Sequence, residues 1–247
     1  MPSYQFRDSE PAAGGRRFYG TPKPLFCESF ASWVQRVCQH FDMTYASFAR
    51  LLGVAFGQDV DLALDDAGYR QLARLFGLAD EDFALMRLSF GRCVTSKPLR
   101  RLLYYRDDGR LAYRFCPCCL RADSTPYYRL EWRFEHWTIC PQHRVKMEYA
   151  CLRCGTRPQM QRTILSGSRS VPTLAHCCAC ACDMRQTGAG ATGSEQMPEL
   201  NQVVSTERAV VSAVVHGYFS VVGFRARRVT LRRLPEWLEH GLLTGGT

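Results

Sequence analysis

The sequence predicts a mainly α-helical protein with small β elements of the ribbon type, and three features of the chain indicate this fold. Apolar residues recur at three- and four-residue steps in several segments between residues 25 and 92, which is the spacing of amphipathic helices. Cysteines and a histidine form four closely spaced pairs between residues 116 and 180. A further apolar, helix-like segment follows a Gly- and Ala-rich stretch. We therefore divide the chain into a flexible arm (1–24), a helical domain (25–92), a metal-binding region (93–185), a linker (186–198) and C-terminal helices (199–247).

Four helices are expected in the helical domain. The first spans Glu28–Phe41 and buries one apolar face. Each of the other three follows a side chain that can accept a hydrogen bond from the first free amide groups of a helix; these are Thr44, Asp65 and Asp80. Gly53 and Gly77 end two of the helices, because glycine adopts the left-handed conformation at low cost.

The segment Phe48–Val54 resembles the first half of a helix-turn-helix. The helix that reads the bases would then lie near Gln58–Leu64, which contains Asp59 and Asp61 but no lysine or arginine. Phosphates would repel such a helix before it reached the base edges. We therefore expect a helix-turn-helix-like shape that contacts protein rather than DNA bases.

The four pairs each place two residues between the two ligands. A pair at this spacing can turn both side chains onto one metal ion, and two pairs complete the tetrahedron of a structural zinc site. We assign one Zn²⁺ to Cys116, Cys119, Cys140 and His143, and a second to Cys151, Cys154, Cys177 and Cys180. Neither set includes a carboxylate or an open position, which favours structural zinc over a zinc-activated water.

Additional cysteines leave the choice of ligands open at two places. Cys118 lies inside the first pair, while His176, Cys178 and Cys182 surround the last pair, so a ligand there could shift by a residue or two.

The first 20 residues contain no apolar run of signal-peptide length. With 13 cysteines in the chain, a reducing cytoplasm and metal binding are favoured over secretion and disulfides.

Charge is unevenly distributed along the chain, whose formal net charge is +9. The range from 43 to 86 carries seven acidic residues against three arginines, whereas the range from 87 to 133 carries 11 basic residues against four acidic ones. A basic connector with interleaved tyrosines is typical of nucleic-acid contact, although an ordinary solvated surface is the alternative. The candidate contact residues are Arg92, Lys97, Arg100, Arg101, Arg106 and Arg110.

The chain contains no recognisable catalytic motif, because it lacks a phosphate-binding glycine loop, a nucleophile elbow and a paired-carboxylate pattern. The apolar segment 209–224 is short for a membrane span and includes polar residues, so no membrane contact is expected. We expect a buried helix over Val203–Phe219 and a short helix over Pro235–Leu242.

Several of these stretches together resemble the TniQ/TnsD family of transposition proteins. The resemblance is carried, in this order, by Glu28–Trp33, Arg114–Asp123, Pro126–Arg133, Cys140–His143, Cys151–Gly155 and Cys177–Met184. It covers roughly residues 26–184, and the order of the motifs is specific to the family. Arg144 and Ala181 stand where glycines are common, and Leu152 replaces a frequent proline. None of these departures removes a ligand.

The resemblance implies a non-enzymatic targeting factor that links target recognition to an AAA+ ATPase regulator, which recruits the transposase. Recognition would come from an RNA-guided Cascade complex or from target DNA bound by the protein itself, and a homodimer is compatible with this role. The short segment after the zinc region favours a TniQ-like adaptor over the longer TnsD-like members. The alternative is a stand-alone zinc-dependent DNA-binding transcriptional regulator. A zinc hydrolase ranks third, because it requires an open metal position and a general base.

Overall fold

The computed structural model describes residues 18–55, 58–106, 109, 112–160, 174–186, 197–220, 228–231 and 234. Within these ranges the fold is mainly helical, as predicted. The α-helices are α1 (Phe30–His40), α2 (Tyr45–Leu51), α3 (Asp66–Phe76), α4 (Ala84–Thr95), α5 (Lys97–Arg100), α6 (Pro117–Ala122) and α7 (Met197–His216). Short 3-10 turns cover Val60–Leu62, Asp80–Phe83, Leu130–Arg133 and Met184–Gln186. Strands β1 (Tyr218–Ser220) and β2 (Arg228–Thr230) pair in antiparallel fashion.

Two of the three predicted capping residues begin helices. The Thr44 side chain accepts a hydrogen bond from the Ser47 amide, and the Asp65 side chain accepts one from the Gly68 amide. Asp80 does not cap the fourth helix, because it lies inside a 3-10 turn that precedes α4. This turn and α4 together extend to Thr95.

The segment expected to form a reading helix forms a 3-10 turn instead. The Asp59 carboxylate accepts a hydrogen bond from the Asp61 amide at 3.1 Å, which stabilises the tight turn Val60–Leu62. Asp61 is fully buried. The negative charge that the sequence placed on an exposed helix therefore lies partly inside the protein.

Trp33 lies at the centre of the aromatic core of the helical part. Its ring meets those of Phe48, Phe76 and Phe83 in edge-to-face contacts, with centroid distances of 6.1, 5.5 and 5.0 Å. Such contacts add to the free energy that burial of these large rings supplies. Buried residues continue from this cluster into the Cys/His region and α7 without a break, so the described helical and Cys/His segments share one core.

The start of α1 is joined to a segment that lies about 100 residues later in the chain. The Ser29 amide donates to the Tyr128 carbonyl at 2.9 Å, and the Leu130 amide donates to the Cys27 carbonyl at 2.7 Å. The Ser32 hydroxyl accepts from the Tyr128 amide at 2.9 Å. Two of the sequence motifs that carry the family resemblance are therefore direct neighbours in space.

The expected helix Val203–Phe219 is displaced toward the N-terminus, because α7 spans Met197–His216 and Phe219 lies in β1. Gly217, at φ +90°, ends the helix. A Cβ atom there would lie 2.9 Å from Arg92 Cζ, so only glycine fits without a shift.

The predicted helix Pro235–Leu242 lies outside the described residues, as does most of the predicted linker. Among the described helices, none combines the length and apolar character that a membrane crossing requires.

Candidate metal centres and basic surface

The four Cys/His pairs gather into two clusters, as the sequence predicted. Within each cluster, the four candidate ligand atoms all lie within 4.8 Å of one another; the members are Cys116, Cys119, Cys140 and His143, and Cys151, Cys154, Cys177 and Cys180. Three pairs of sulfur atoms lie 3.6, 3.6 and 3.7 Å apart. A tetrahedral zinc with bonds of about 2.3 Å requires a sulfur–sulfur edge of about 3.8 Å. The donor sets therefore fit Zn²⁺ in both composition and spacing.

Three of the four pairs share one backbone turn. The carbonyl of the first ligand accepts a hydrogen bond from the amide four residues later, at 2.8–2.9 Å, in Cys140–Arg144, Cys151–Gly155 and Cys177–Ala181. The amide of the first ligand donates to the carbonyl five residues later, in Cys140–Val145, Cys151–Thr156 and Cys177–Cys182. These two hydrogen bonds close the turn and place the side chains of both ligands of the pair on the same side of it.

The residue after the second ligand adopts the left-handed conformation in each of these three turns. The φ angles are +57° at Arg144, +69° at Gly155 and +54° at Ala181. This geometry explains why glycine is favoured at the position, since a side chain there costs about 1–2 kcal/mol. Arg144 and Ala181 therefore carry backbone strain that Gly155 avoids.

Replacing Ala181 with glycine is expected to stabilise the metal-loaded protein by about 0.5–1 kcal/mol, because the strain is relieved at some entropic cost. Denaturant unfolding of the metal-loaded protein measures the change. Ala179 is the matched control, since it is exposed, belongs to the same turn and is not left-handed. Ala179→Gly is expected to destabilise the protein by about 0.5–1 kcal/mol. Equal effects of the two substitutions would contradict the strain argument.

The first pair is built differently, at the N-terminal end of α6. Cys116 is the N-cap residue, and its sulfur accepts a hydrogen bond from the Cys119 amide at 3.5 Å. Pro117 occupies the first helical turn, where a missing amide hydrogen is tolerated. Hydrogen bonds from the Cys116 and Cys119 thiols lower the pKa of Cys140 by stabilising its thiolate. Hydrogen bonds with Cys116 and Cys140 in turn raise the pKa of Cys119. Without metal, a Cys140 thiolate is therefore held by neighbouring thiols, and metal binding displaces the protons of those thiols.

The extra cysteines near the second cluster do not share the position of the assigned ligands. Cys182 Sγ lies 3.1 Å from Cys151 Sγ. Its carbonyl, however, closes the turn at the position that Val145 and Thr156 hold in the other two turns. The backbone repeat therefore favours Cys180 as the fourth ligand, with Cys182 beside it.

The predicted nucleic-acid contacts divide into two groups. Lys97 and Arg101 are exposed and, among the described residues, make no hydrogen bond or ion pair. Arg92 donates to the Val214 and Val215 carbonyls at the end of α7, and Arg100 donates to carbonyls at the end of α4. Arg106 is half-buried and has a partner, whereas Arg110 lies outside the described residues. Arg100 is exposed as well. Lys97 and Arg101 are therefore the members of this set that are exposed and have no partner in the described part of the chain.

A buried ionic network, missed in the sequence, connects the helical part to the Cys/His region. Arg133 is fully buried; its Nε donates to Asp61 at 3.1 Å and its guanidinium also binds Asp59. Asp61 further accepts from the Tyr113 hydroxyl and from the Ala31 amide, the latter at 2.8 Å. Burial and the Asp59 carboxylate raise the pKa of Asp61 to about 6, against the opposing effect of Arg133. The Arg133 guanidinium thus favours the ionised form of the Asp61 carboxyl.

One buried carboxylate of α7 forms hydrogen bonds with the segment that directly precedes Cys140 of the first cluster. Glu207 Oε1 accepts hydrogen bonds from the Thr138 amide at 2.6 Å, the Thr138 hydroxyl at 2.7 Å and the Ile139 amide at 3.2 Å. Burial raises the pKa of Glu207, although these hydrogen bonds oppose that effect. Because Thr138 and Ile139 directly precede Cys140, α7 and the metal cluster support each other.

These features define a mainly helical protein with two Cys/His clusters that are suited to metal ions and share its core. A comparison with models of protein families matches residues 20–147, just over half of the chain, to TniQ. The chain therefore belongs to the TniQ family, whose members are non-catalytic proteins of transposition. This match confirms the resemblance seen in the sequence. A search among curated proteins finds no significant match.

Proposed function

We propose that the protein is a non-enzymatic targeting adaptor of transposition that links recognition of target DNA to an AAA+ ATPase regulator and its transposase. The observation that carries the proposal is the TniQ match, which includes both the helical part and the first metal cluster. Each cluster would hold one Zn²⁺ in a structural role, since four protein ligands complete its tetrahedron. When bound, the zinc crosslinks distant segments of the chain.

An adaptor must present two surfaces at once in a fixed relationship. The shared core and the Arg133–Asp61 pair support this requirement, because they connect the helical part to the Cys/His region. On the first surface, Lys97 and Arg101 are available to the phosphates of target DNA. For protein contact, the helical part exposes apolar side chains on α2 and α4, since Leu51 and Leu88 are 41% and 45% exposed.

Charge contributes less to protein docking than the sequence suggested. Asp59 and Asp61 form ion pairs with Arg133 within the protein. Asp66 is exposed, but it is paired with Arg70 and Arg87 at 2.8 and 3.0 Å. We therefore place the ATPase contact on the apolar side chains of the helical part rather than on an acidic face.

The test is recovery of an AAA+ ATPase of the transposition machinery in a pull-down with the intact chain. Deletion of residues 1–92 would cut through the shared core, so point substitutions are required. The double variant Leu51→Asp and Leu88→Asp is expected to reduce recovery at least about tenfold, since buried interface charges are strongly unfavourable. Leu152→Asp is the matched control, because Leu152 is 63% exposed on the second cluster. Equal recovery by both variants would contradict docking through the helical part.

The alternative function is a stand-alone zinc-dependent DNA-binding regulator. That function requires no ATPase, and it fits the exposed Lys97 and Arg101 equally well. Failure of the intact chain to recover the ATPase, with and without DNA, together with altered transcription after deletion of the gene, would favour it. Recovery that depends on a Cascade complex and its guide RNA would instead assign the adaptor to an RNA-guided system.

A further inference from the structure

A polar groove separates the turn of the first metal cluster from the exposed side of α7. It has a volume of about 460 Å³, and its lining residues are Arg144, Asn201, Val204, Ser205, Arg208, Ala209 and Ser212. The lining contains two guanidinium groups and three neutral hydrogen-bonding side chains but no carboxylate. It lies apart from Lys97 and Arg101 in sequence and was not among the candidate contacts predicted from composition.

The two arginines of the groove are held differently. Arg144 Nη2 donates to Asn201 Oδ1 at 2.6 Å, which joins the metal-binding turn to α7. Arg208 is exposed and, in the part of the chain that the structure describes, forms no hydrogen bond or ion pair. A free guanidinium beside a positioned one suits a phosphate, whose oxygens accept several hydrogen bonds at once.

The carboxylate of Glu207, on α7, is directed away from the groove. Glu207 is the acidic residue of the helix between Asn201 and His216, and it is 3% exposed. Its carboxylate is engaged with Thr138 and Ile139, on the side that meets the metal cluster. The same contacts hold the two walls of the groove together, so the cationic surface is preformed.

We propose that this groove binds the phosphodiester backbone of duplex DNA through Arg144, Arg208 and the Ser205 and Ser212 hydroxyls. The inference rests on the proposed function, and it assigns DNA a contact beyond Lys97 and Arg101. Guanidinium and hydroxyl groups that bind phosphates fix the position of a protein on DNA without reading its sequence. The surface would therefore align the adaptor on its target rather than choose the target.

The test is binding of the intact, zinc-loaded chain to duplexes of two unrelated sequences over a range of salt concentrations. Arg208→Glu is expected to weaken binding about tenfold on both duplexes and to lower the salt slope by about one. Arg74→Glu is the matched control, since Arg74 is exposed on α3 and distant in sequence; it should change neither quantity beyond a small general charge effect. A photocrosslinking amino acid in place of Ser205 should join the protein to DNA.

Three outcomes would overturn the inference: absence of DNA binding by the intact chain, equal effects of the two arginine substitutions, or preferential crosslinking of position 205 to an acidic protein instead of DNA. Far-UV circular dichroism and zinc content verify that Arg208→Glu is folded. Recovery of the ATPase is measured with the same variants. If Arg208→Glu retains both DNA binding and ATPase recovery, the proposal that the groove binds DNA is wrong, whereas the proposed adaptor function is not contradicted.

Discussion

Chelation of zinc is expected to unfold the central part of the protein and to expose its shared core. Structural zinc contributes about 10–16 kcal/mol of apparent binding free energy in small zinc-binding domains, which exceeds the stability of most domains of this size. Two zinc ions per chain should be measured after purification without added metal. Cys151→Ser should reduce the content to one, because it removes a ligand of the second cluster.

The extra cysteines provide matched controls for this experiment. Cys118→Ser, Cys178→Ser and Cys182→Ser should each retain two zinc ions, whereas Cys180→Ser should retain one, because Cys180 belongs to the second cluster. Loss of a zinc with Cys182→Ser but not with Cys180→Ser would show that the ligand is displaced by two residues. One zinc or none in the intact chain would contradict the two-site assignment.

Substitution of Arg133 by methionine is expected to destabilise the protein by about 3–5 kcal/mol. The change leaves the buried Asp61 carboxylate without its cationic partner, and removal of one member of a buried ion pair has this cost. The Tyr104 and Ala112 carbonyls also lose a donor. Denaturant unfolding of the zinc-loaded protein measures the loss.

Two companion variants separate the charge of Arg133 from its shape. Arg133→Lys retains the positive charge but cannot reproduce the planar fork of donors. It should therefore lower the free energy of unfolding, but by less than Arg133→Met does. Adding Asp61→Asn to Arg133→Met should recover part of the lost stability, because the unpaired charge is removed. A loss below about 1 kcal/mol for Arg133→Met would contradict a structural role for the network.

The parts of the fold that depend on local spacing could be predicted from the sequence. Two residues between ligands are enough to form each metal-binding turn, and Thr44 and Asp65 cap helices through amides only three residues later. The two clusters also followed from the order of the pairs. Within each cap and each ligand pair the interacting groups are neighbours in the chain, so the pattern contains the geometry.

The contacts that span long sequence distances could not be predicted. Arg133 and Asp61 are 72 residues apart, and Glu207 and Thr138 are 69 apart. A count of charges treats Asp61, Arg133 and Glu207 as surface charges, whereas folding places these three side chains in the interior. The expected reading helix near Asp61 was wrong for the same reason, since a buried carboxylate with three partners favours a tight turn there.

The pairing of α1 with the Tyr128 segment has a consequence for synthesis on the ribosome. The Ser32 hydroxyl meets its partner amide 96 residues later in the chain. At about 5–20 residues per second, the N-terminal helices wait roughly 5–20 s before that partner exists. During this interval the start of α1 lacks the segment that covers it in the folded protein, and such incompletely packed surface promotes aggregation. Productive folding of this chain is therefore expected to depend on protection of the nascent helices, by the ribosome or a chaperone, until the Cys/His region emerges and acquires its metal.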